Sequence, residues 1–137
     1  MIFTFNKKIY GYECDIYGHM NNAAYLQMLE AARSDALVEM DMSIAKLLKL
    51  DLQLFVLHYE LDYLKALDLE DTVTVKSWFY EANRLKGFWR QEAYNSQNEL
   101  CFSAKFTVVY ASQGKAKRLP IDVHEHFLKY LEKADIN

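Results

Sequence analysis

The spacing of apolar side chains changes along this chain. Over residues 23–40, apolar positions recur every three or four residues, and the polar positions form only a narrow stripe. That period predicts a long α-helix that other structure covers on most sides. Over residues 55–63 the period falls to two, which predicts a β-strand. Segments dense in β-branched and aromatic residues predict further strands at 2–12, 72–81, 85–94 and 100–111.

Short polar stretches separate these segments. They predict a loop at 13–22, tight turns at 82–84 and 95–98, a short helix at 43–48, and a terminal helix over 121–134 after Pro120. One strand, a long helix, four strands joined by hairpins and a last helix make an α+β protein, with the long helix packed against one antiparallel sheet. The edges of such a sheet are open, and dimerisation is the expected way to cover them.

The composition narrows the class of protein. With 137 residues, of which 52% are hydrophobic and 26% charged, the chain is predicted to form one folded domain over 1–137. Its net charge of −3 argues against nonspecific binding to nucleic acid. Two cysteines cannot form a disulfide framework, no apolar run is long enough to span a membrane, and the N-terminus does not resemble a signal peptide. We therefore expect a soluble, cytoplasmic protein.

The loop before the long helix concentrates groups that can perform chemistry, because Asp15, His19, Asn21 and Asn22 lie close together there. A helix N-terminus carries unpaired backbone N–H groups and a partial positive charge, so it can polarise a carbonyl oxygen or stabilise an oxyanion. A carboxylate just upstream can activate water or attack a carbon atom itself. The same residue types are ordinary in turns, and either asparagine would cap the helix. The residue types alone favour neither interpretation.

This loop resembles the signature of the hotdog-fold thioesterases, specifically the 4-hydroxybenzoyl-CoA thioesterase-like acyl-CoA thioesterases. That signature has an Asp, a Gly three positions on, often His-x-Asn-Asn, and a Tyr opening the helix. The matching residues are Asp15, Gly18, His19, Asn21, Asn22 and Tyr25, with Glu30 at a familiar helix position and Leu119-Pro120 before the last helix. The resemblance covers essentially the whole chain. It implies the hotdog fold, in which a five-stranded antiparallel sheet wraps around a long central helix, here followed by a C-terminal helix.

The resemblance implies an acyl-CoA thioesterase that hydrolyses the thioester to a carboxylic acid and free CoA. Asp15 takes the position of the family's catalytic carboxylate, which acts as nucleophile or as general base. The backbone N–H of Asn22 takes the position of the amide that polarises the thioester carbonyl. His19 and Asn21 match residues that orient substrate or water, and Tyr25 is expected to brace the loop beside the substrate. Neither a metal nor a cofactor is implied, apart from the coenzyme A of the substrate. Each site is expected to form between subunits of a homodimer or homotetramer.

Two other sets of residues could take part in a site. Cys14 could act as a nucleophile, but neighbours on an extended segment point opposite ways, which favours an inert, buried Cys14 beside Asp15. His58 shares a strand face with Glu60 and Asp62 and could line a cleft, although antiparallel strands commonly carry one solvated polar face. The loop residues lack the spacing of a metal-ligand cluster.

Cationic side chains are candidates for binding the phosphates of coenzyme A. Those in the predicted loops are Arg84, Lys86, Lys115, Lys117 and Arg118. His124 and His126 are expected to be solvated on the terminal helix. The substrate-binding candidates are therefore Asn21, Tyr25, His58, Arg84, Lys86 and Arg118.

Alternative functions stay open at this point. The acyl group could be carried by acyl carrier protein instead of coenzyme A, or the domain could bind acyl thioesters without hydrolysing them. A hydratase of the same fold is disfavoured, because its Asp-x-Asn-x-x-x-His pattern does not match the residues from Asp15 to His19. The many Phe and Tyr residues suit either an aliphatic or an aromatic acyl group.

Overall fold

The computed structural model describes residues 1–133 of the chain. Its first strand, β1, spans Phe3–Lys8 and leads through a 3₁₀ turn at Gly11–Glu13 to the long helix α1, Asn22–Glu39. The elements that follow are α2 (Ile44–Lys49), β2 (Gln53–Tyr63), β3 (Thr72–Ala82), β4 (Lys86–Tyr94), β5 (Leu100–Ser112), β6 (Lys115–Ala116) and α3 (Ile121–Leu128). Apart from the two-residue β6, this is the order that the hydrophobic periods predict.

The strands form one antiparallel sheet in the order β1-β3-β4-β5-β2, and β6 pairs with the end of β5. Lys8 at the end of β1 lies opposite Thr72 at the start of β3, so the chain leaves β1 at the end of the sheet where β3 begins. β2 pairs with β5 and finishes with Tyr63 opposite Phe102. β2 is therefore an edge strand whose last residues lie at the same end of the sheet as the loop that follows β1.

Helix α1 packs one side against a face of this sheet. The buried residues of that side are Ala24, Tyr25, Met28, Leu29, Ala32, Ala36 and Leu37. They join two apolar clusters, one around Phe102 and Val75 beneath the first half of the helix and one around Phe106 and Trp89 beneath the second half. Burial of this apolar surface is the main term that stabilises the arrangement. The curled sheet packed around α1 confirms the predicted α+β, hotdog architecture.

The opposite side of α1 is open in the single chain, whereas the sequence predicts cover on most sides. Leu26 and Val38 of this helix are 39% and 62% exposed. The edge strand β2 also carries exposed apolar side chains, with Phe55 47% and Leu57 58% exposed. An unpaired strand edge with such side chains is a template for pairing with another chain.

Two predicted boundaries are wrong. The first strand ends at Lys8 rather than at residue 12, because residues 10–13 wind into the 3₁₀ turn, where Tyr12 is 85% exposed. The last helix ends at Leu128 rather than at residue 134, and Ala134 itself lies outside the described residues. None of the helices within residues 1–133 is long and apolar enough to cross a membrane.

The two histidines of α3 are half-buried, so the prediction that they are solvated is wrong. The Nε2 atom of His126 lies 2.5 Å from the carbonyl oxygen of Met40 at the end of α1, and its ring contacts Tyr130. The Nδ1 atom of His124 is buried as well. The reason is that α3 inserts Phe127 into the second apolar cluster, which brings this helix against the end of α1.

Candidate active site

The segment between β1 and α1 folds into a compact loop whose two ends are held together by an ion pair and hydrogen bonds. Lys7 forms an ion pair with Glu13, whose carboxylate also accepts the Tyr10 N–H at 3.0 Å. Only 18% and 10% of the Lys7 and Glu13 side-chain surfaces are exposed. The carbonyl oxygen of Glu13 accepts the Asn21 N–H at 2.7 Å, which joins the first half of the loop to the start of α1.

Asp15 opens a tight turn at the tip of this loop. Its Oδ1 atom accepts the backbone N–H groups of Tyr17 at 2.9 Å and His19 at 3.4 Å. Gly18 completes the turn in the left-handed region, with a φ of +77°, where a side chain would be strained. The Oδ2 atom of Asp15 has no hydrogen-bond partner within residues 1–133, so one carboxylate oxygen is oriented by the backbone and the other is open.

The connection between β2 and β3 holds this turn from the other side. The carbonyl oxygen of Leu67 accepts the Met20 N–H at 2.9 Å. His19 pairs with Asp68 across a short antiparallel bridge, and its Nε2 atom lies 3.6 Å from Asp68 Oδ1. Asp68 is thus a carboxylate neighbour of His19 that the sequence reasoning missed, because a single Asp in a polar loop carries no signal of its own.

Helix α1 begins with an open backbone amide. Asn21 is the N-cap residue, and its side-chain oxygen accepts the Ala23 N–H at 2.9 Å. The Asn22 N–H, at the first position of the helix, makes no hydrogen bond to any of residues 1–133. Of the two asparagines that could cap the helix, Asn21 does so and uses its side chain for that purpose. Asn22 presents its N–H at the positive end of the helix dipole.

These groups meet at an open cleft of about 360 Å³. Asp15, His19, Asn22 and Tyr25 line it, so the structure brings together four of the site residues predicted from the sequence. The other lining residues are Met20, Tyr63, Leu64, Lys65 and Ala66. Residues 63–66 were missed, because only the sheet topology brings the end of β2 to this place.

Tyr25 forms part of the cleft wall and is mainly a packing residue. Its side chain is 4% exposed, and its ring lies 5.2 Å from that of Tyr63 and 4.6 Å from that of Phe102, measured between centroids. Its hydroxyl oxygen accepts the Leu67 N–H at 3.4 Å. Burial raises the pKa of Tyr25, so the phenol stays neutral near pH 7.

Cys14 adjoins Asp15 in the chain but does not line the cleft. Its half-buried Sγ atom lies 3.5 Å from the carbonyl oxygen of Tyr10, to which it donates. Burial, and then the carboxylates of Glu13 and Asp15, raise the pKa of the thiol. Because the thiolate is the reactive form, a raised pKa makes Cys14 a poor nucleophile.

Arg84, Lys86 and Arg118 lie at the opposite end of the sheet from the cleft of the same chain. The β3–β4 turn holds Arg84, and β3 extends about 30 Å from the cleft end to that turn. The Nε atom of Arg84 donates to the Leu119 carbonyl oxygen at 2.8 Å, which fixes the turn against the segment before α3. A single chain therefore does not bring these cations to its own Asp15.

His58 is also away from the cleft. Its neighbours Tyr59 and Leu61 pack beneath α1, so alternation places His58 and Glu60 together on the outer face of β2. The His58 Nε2 atom lies 3.6 Å from Glu60 Oε1, and both side chains are largely exposed. Within residues 1–133, no group of three or more His, Cys, Asp or Glu side chains is placed to hold a metal ion.

Comparison with known proteins decides the family. The sequence matches the model of the thioesterase-like superfamily over residues 11–131. The chain belongs to the thioesterase-like superfamily. It is 30% identical over 126 residues to sll0410 of Synechocystis sp., a protein named as an esterase, and the match covers 89% of this chain and 76% of that protein. It is 33% identical over 84 residues to the Escherichia coli long-chain acyl-CoA thioesterase FadM, which is 61% of this chain and 63% of FadM.

A solved structure from another organism has the same fold as this chain. The Staphylococcus aureus protein SAV2348, whose structure was solved in complex with CoA, superimposes with a TM-score of 0.85 at 18% identity. The superposition covers 96% of this chain and 87% of that protein. At this identity the similarity concerns the fold alone.

Proposed function

We propose that this protein hydrolyses the thioester bond of an acyl-CoA to release a carboxylic acid and free CoA. The observation that carries the proposal is that Asp15 and Asn22 line one cleft, with Asp15 Oδ2 and the Asn22 N–H unpaired within residues 1–133. A proton acceptor or nucleophile and an oxyanion donor are the two groups that thioester hydrolysis needs. Membership of the superfamily and similarity to a long-chain acyl-CoA thioesterase support the proposal.

The proposed reaction begins when the thioester carbonyl oxygen accepts the Asn22 N–H. A water molecule attacks the carbonyl carbon while Asp15 Oδ2 takes one of its protons. The N–H and the partial positive charge of α1 stabilise the negative charge that develops on the carbonyl oxygen. When the intermediate collapses, the C–S bond breaks and the proton on Asp15 passes to the leaving thiolate. His19, beside Asp15 in the cleft, is placed to orient the water or the thioester.

A second route uses the same carboxylate as a nucleophile. Asp15 Oδ2 then attacks the carbonyl carbon, the CoA thiolate leaves, and a mixed anhydride forms that water hydrolyses to the acid and the free carboxylate. Both routes depend on the open Oδ2 atom and on the Asn22 N–H. Both therefore predict loss of turnover when Asp15 becomes Asn.

A second copy of the chain is proposed to complete the cleft. Antiparallel pairing of two open β2 edges reverses the direction of the partner's sheet, so the far end of the partner lies beside the Asp15 cleft of the first chain. Three strand spacings, roughly 14 Å, then separate β2 from the partner's β4. This geometry brings the partner's Arg84 and the partner's Lys86 to the side of the cleft where the phosphates of coenzyme A need cations.

The acyl group is proposed to extend along α1. A cavity of about 240 Å³ lies between α1, α2 and β2. Its apolar lining residues are Leu37, Ile44, Leu54, Val56, Trp89 and Val108. Glu30 is the first residue of α1 in its lining, eight positions after Asn22, which corresponds to about 12 Å along the helix axis. Such a distance suits long acyl chains better than short ones.

Release of free thiol from a panel of acyl-CoAs tests this function. The panel runs from acetyl-CoA to palmitoyl-CoA and includes benzoyl-CoA, and the same acyl groups are offered on acyl carrier protein. Hydrolysis of long-chain acyl-CoA by the wild type is the expected result. If only the substrates on acyl carrier protein are hydrolysed, the protein is an acyl-carrier-protein thioesterase and not an acyl-CoA thioesterase. If acyl-CoA binds without release of thiol, the protein is a noncatalytic binding domain.

A further inference from the structure

A fully buried amide lies beneath the middle of α1. Gln91, in β4, is 0% exposed. Its Nε2 atom donates to the Leu29 carbonyl oxygen of α1 at 2.9 Å and to Ser77 Oγ of β3 at 2.9 Å. Its Oε1 atom accepts from Arg33 Nη1 of α1 at 3.4 Å. Both N–H groups and the carbonyl of the amide are therefore used, and two of the three bonds reach α1.

Arg33 extends this connection to the edge strand. Its Nη1 atom also donates to the Tyr59 hydroxyl of β2 at 2.6 Å, and its guanidinium carbon lies 4.9 Å from the centre of the Phe106 ring. No Asp or Glu within residues 1–133 forms an ion pair with Arg33. The partners that hold the guanidinium are thus the sheet residues under the helix, and they tie α1 to β2 and β4.

Apolar packing alone defines the position of α1 less strictly than the hydrogen bonds of Gln91 and Arg33 do. The two buried clusters between the helix and the sheet consist of apolar side chains, and the hydrophobic effect is non-directional. A buried polar network has a single arrangement in which every donor and acceptor is satisfied. Rotation of α1 about its axis, or a shift along it, would break the bonds to Gln91.

We propose that Gln91 and Arg33 are positioning residues of the active site, which set the rotation and axial position of α1 and thereby aim the Asn22 N–H at the thioester beside Asp15. Leu29 follows Asn22 by seven residues, two helical turns or about 10 Å, so a rotation at Leu29 is transmitted directly to the helix N-terminus. A misplacement of about 1 Å can cost a reaction on the order of 100-fold. The inference rests on the proposed thioesterase function.

The variant Gln91→Met tests this proposal, because it keeps the length of the side chain and removes all three hydrogen bonds. We expect kcat for acyl-CoA hydrolysis to fall by at least about tenfold with KM changed by less than about threefold, at a temperature where circular dichroism shows a folded protein. The matched control is Gln97→Met, in the exposed β4–β5 turn, which should keep the wild-type kcat. A merely structural role would lower the midpoint of thermal unfolding and leave kcat of the folded protein unchanged.

A second measurement does not depend on activity. Hydrogen–deuterium exchange of the peptide over residues 21–30 should be faster in Gln91→Met than in the wild type and in Gln97→Met, because α1 is held less firmly at its first half. If Gln91→Met does not fold, kcat and hydrogen–deuterium exchange are measured on Ser77→Ala instead. This variant removes one acceptor of the Gln91 amide, so smaller effects in the same direction are expected. Wild-type kcat together with wild-type exchange in the folded variant overturns the inference. An inactive wild type with faster exchange in the variant would instead overturn the proposed function.

Discussion

Asp15 accepts the Tyr17 N–H on its Oδ1 atom at 2.9 Å, and this bond leaves Oδ2 as the open oxygen of the carboxylate. The orientation of the carboxylate is therefore set by the backbone of a tight turn. Gly18 gives that turn its shape through a φ of +77°. The chemistry that we propose for the cleft depends in this way on a residue that has no side chain.

Gly18→Ala should lower turnover through the backbone. A left-handed conformation costs an ordinary residue about 1–2 kcal/mol, so the turn relaxes and Asp15 loses its orientation. We expect kcat to fall about tenfold or more. Gly114→Ala is the matched control, because Gly114 has a φ of +79° and, like Gly18, no heavy atom within 4 Å of an added Cβ. Both variants should lose similar stability in urea unfolding, but Gly114→Ala should keep full activity; equal activity of the two would contradict the role of the turn.

Leu54→Trp should exclude long acyl groups from the acyl site that we propose. Leu54 lines the cavity between α1, α2 and β2, and an indole there would take up part of its volume of about 240 Å³. We expect kcat/KM for palmitoyl-CoA to fall at least about tenfold relative to that for butyryl-CoA, because only the long chain needs this space. Leu128→Trp is the control, because Leu128 lies outside this cavity on α3 and is 39% exposed. An unchanged chain-length profile in Leu54→Trp would show that the acyl group lies elsewhere.

Leu57→Glu should separate the subunits. Leu57 is 58% exposed on the edge strand β2, and a charge on such an edge opposes pairing with another strand. Sedimentation should give a multiple of 16.1 kDa for the wild type and a single chain for the variant. Loss of the dimer should also lower the activity if the partner supplies cations to the cleft. A wild type that sediments as one chain and is fully active would contradict the shared site.

Stability at high pH should depend on Tyr110. Burial raises the pKa of Tyr110 from 10.0 to about 12, so the folded state favours the neutral phenol. The resulting stabilisation is complete below pH 10 and is lost as the pH rises from 10 through 12. Relative to the wild type, Tyr110→Phe should gain about 1.4 kcal/mol in free energy of unfolding between pH 8 and pH 11. Tyr12→Phe, at an 85% exposed position, should gain nothing, and equal pH dependence in all three proteins would contradict the assignment.

The elements with strong periods were predictable from the sequence. The three- to four-residue period and the asparagines before it predict a helix at 23–40, and the structure has α1 at Asn22–Glu39. The two-residue period predicts a strand at 55–63, and β2 ends at Tyr63 as predicted. Residues 10–12 belong to the predicted first strand because aromatic residues such as Tyr10 and Tyr12 are common in strands. The structure instead uses Glu13 to accept the Tyr10 N–H, a local bond that periodicity does not reveal.

The candidate site was predictable only as far as it is local in the chain. Asp15, His19, Asn22 and Tyr25 line one cleft because all belong to one loop and the helix that follows it. Asp68 and the end of β2 reach the same place through long-range strand pairing, which the residue types do not show. For the same reason the sequence could not show that Arg84 lies at the opposite end of the sheet. Nor could it show that Gln91 is buried beneath α1, because its place in an alternating strand looks ordinary.

The central claim is that Asp15 is the group that hydrolyses the thioester, and the most direct test compares kcat of Asp15→Asn with that of the wild type on long-chain acyl-CoA. Asparagine keeps the Oδ1 acceptor for the turn and removes the proton acceptor, so kcat should fall by about 10²–10⁴-fold with little change in KM or thermal stability. His19→Ala should lose less, and Cys14→Ala should be nearly as active as the wild type. Wild-type turnover in Asp15→Asn together with an inactive Cys14→Ala would contradict the account.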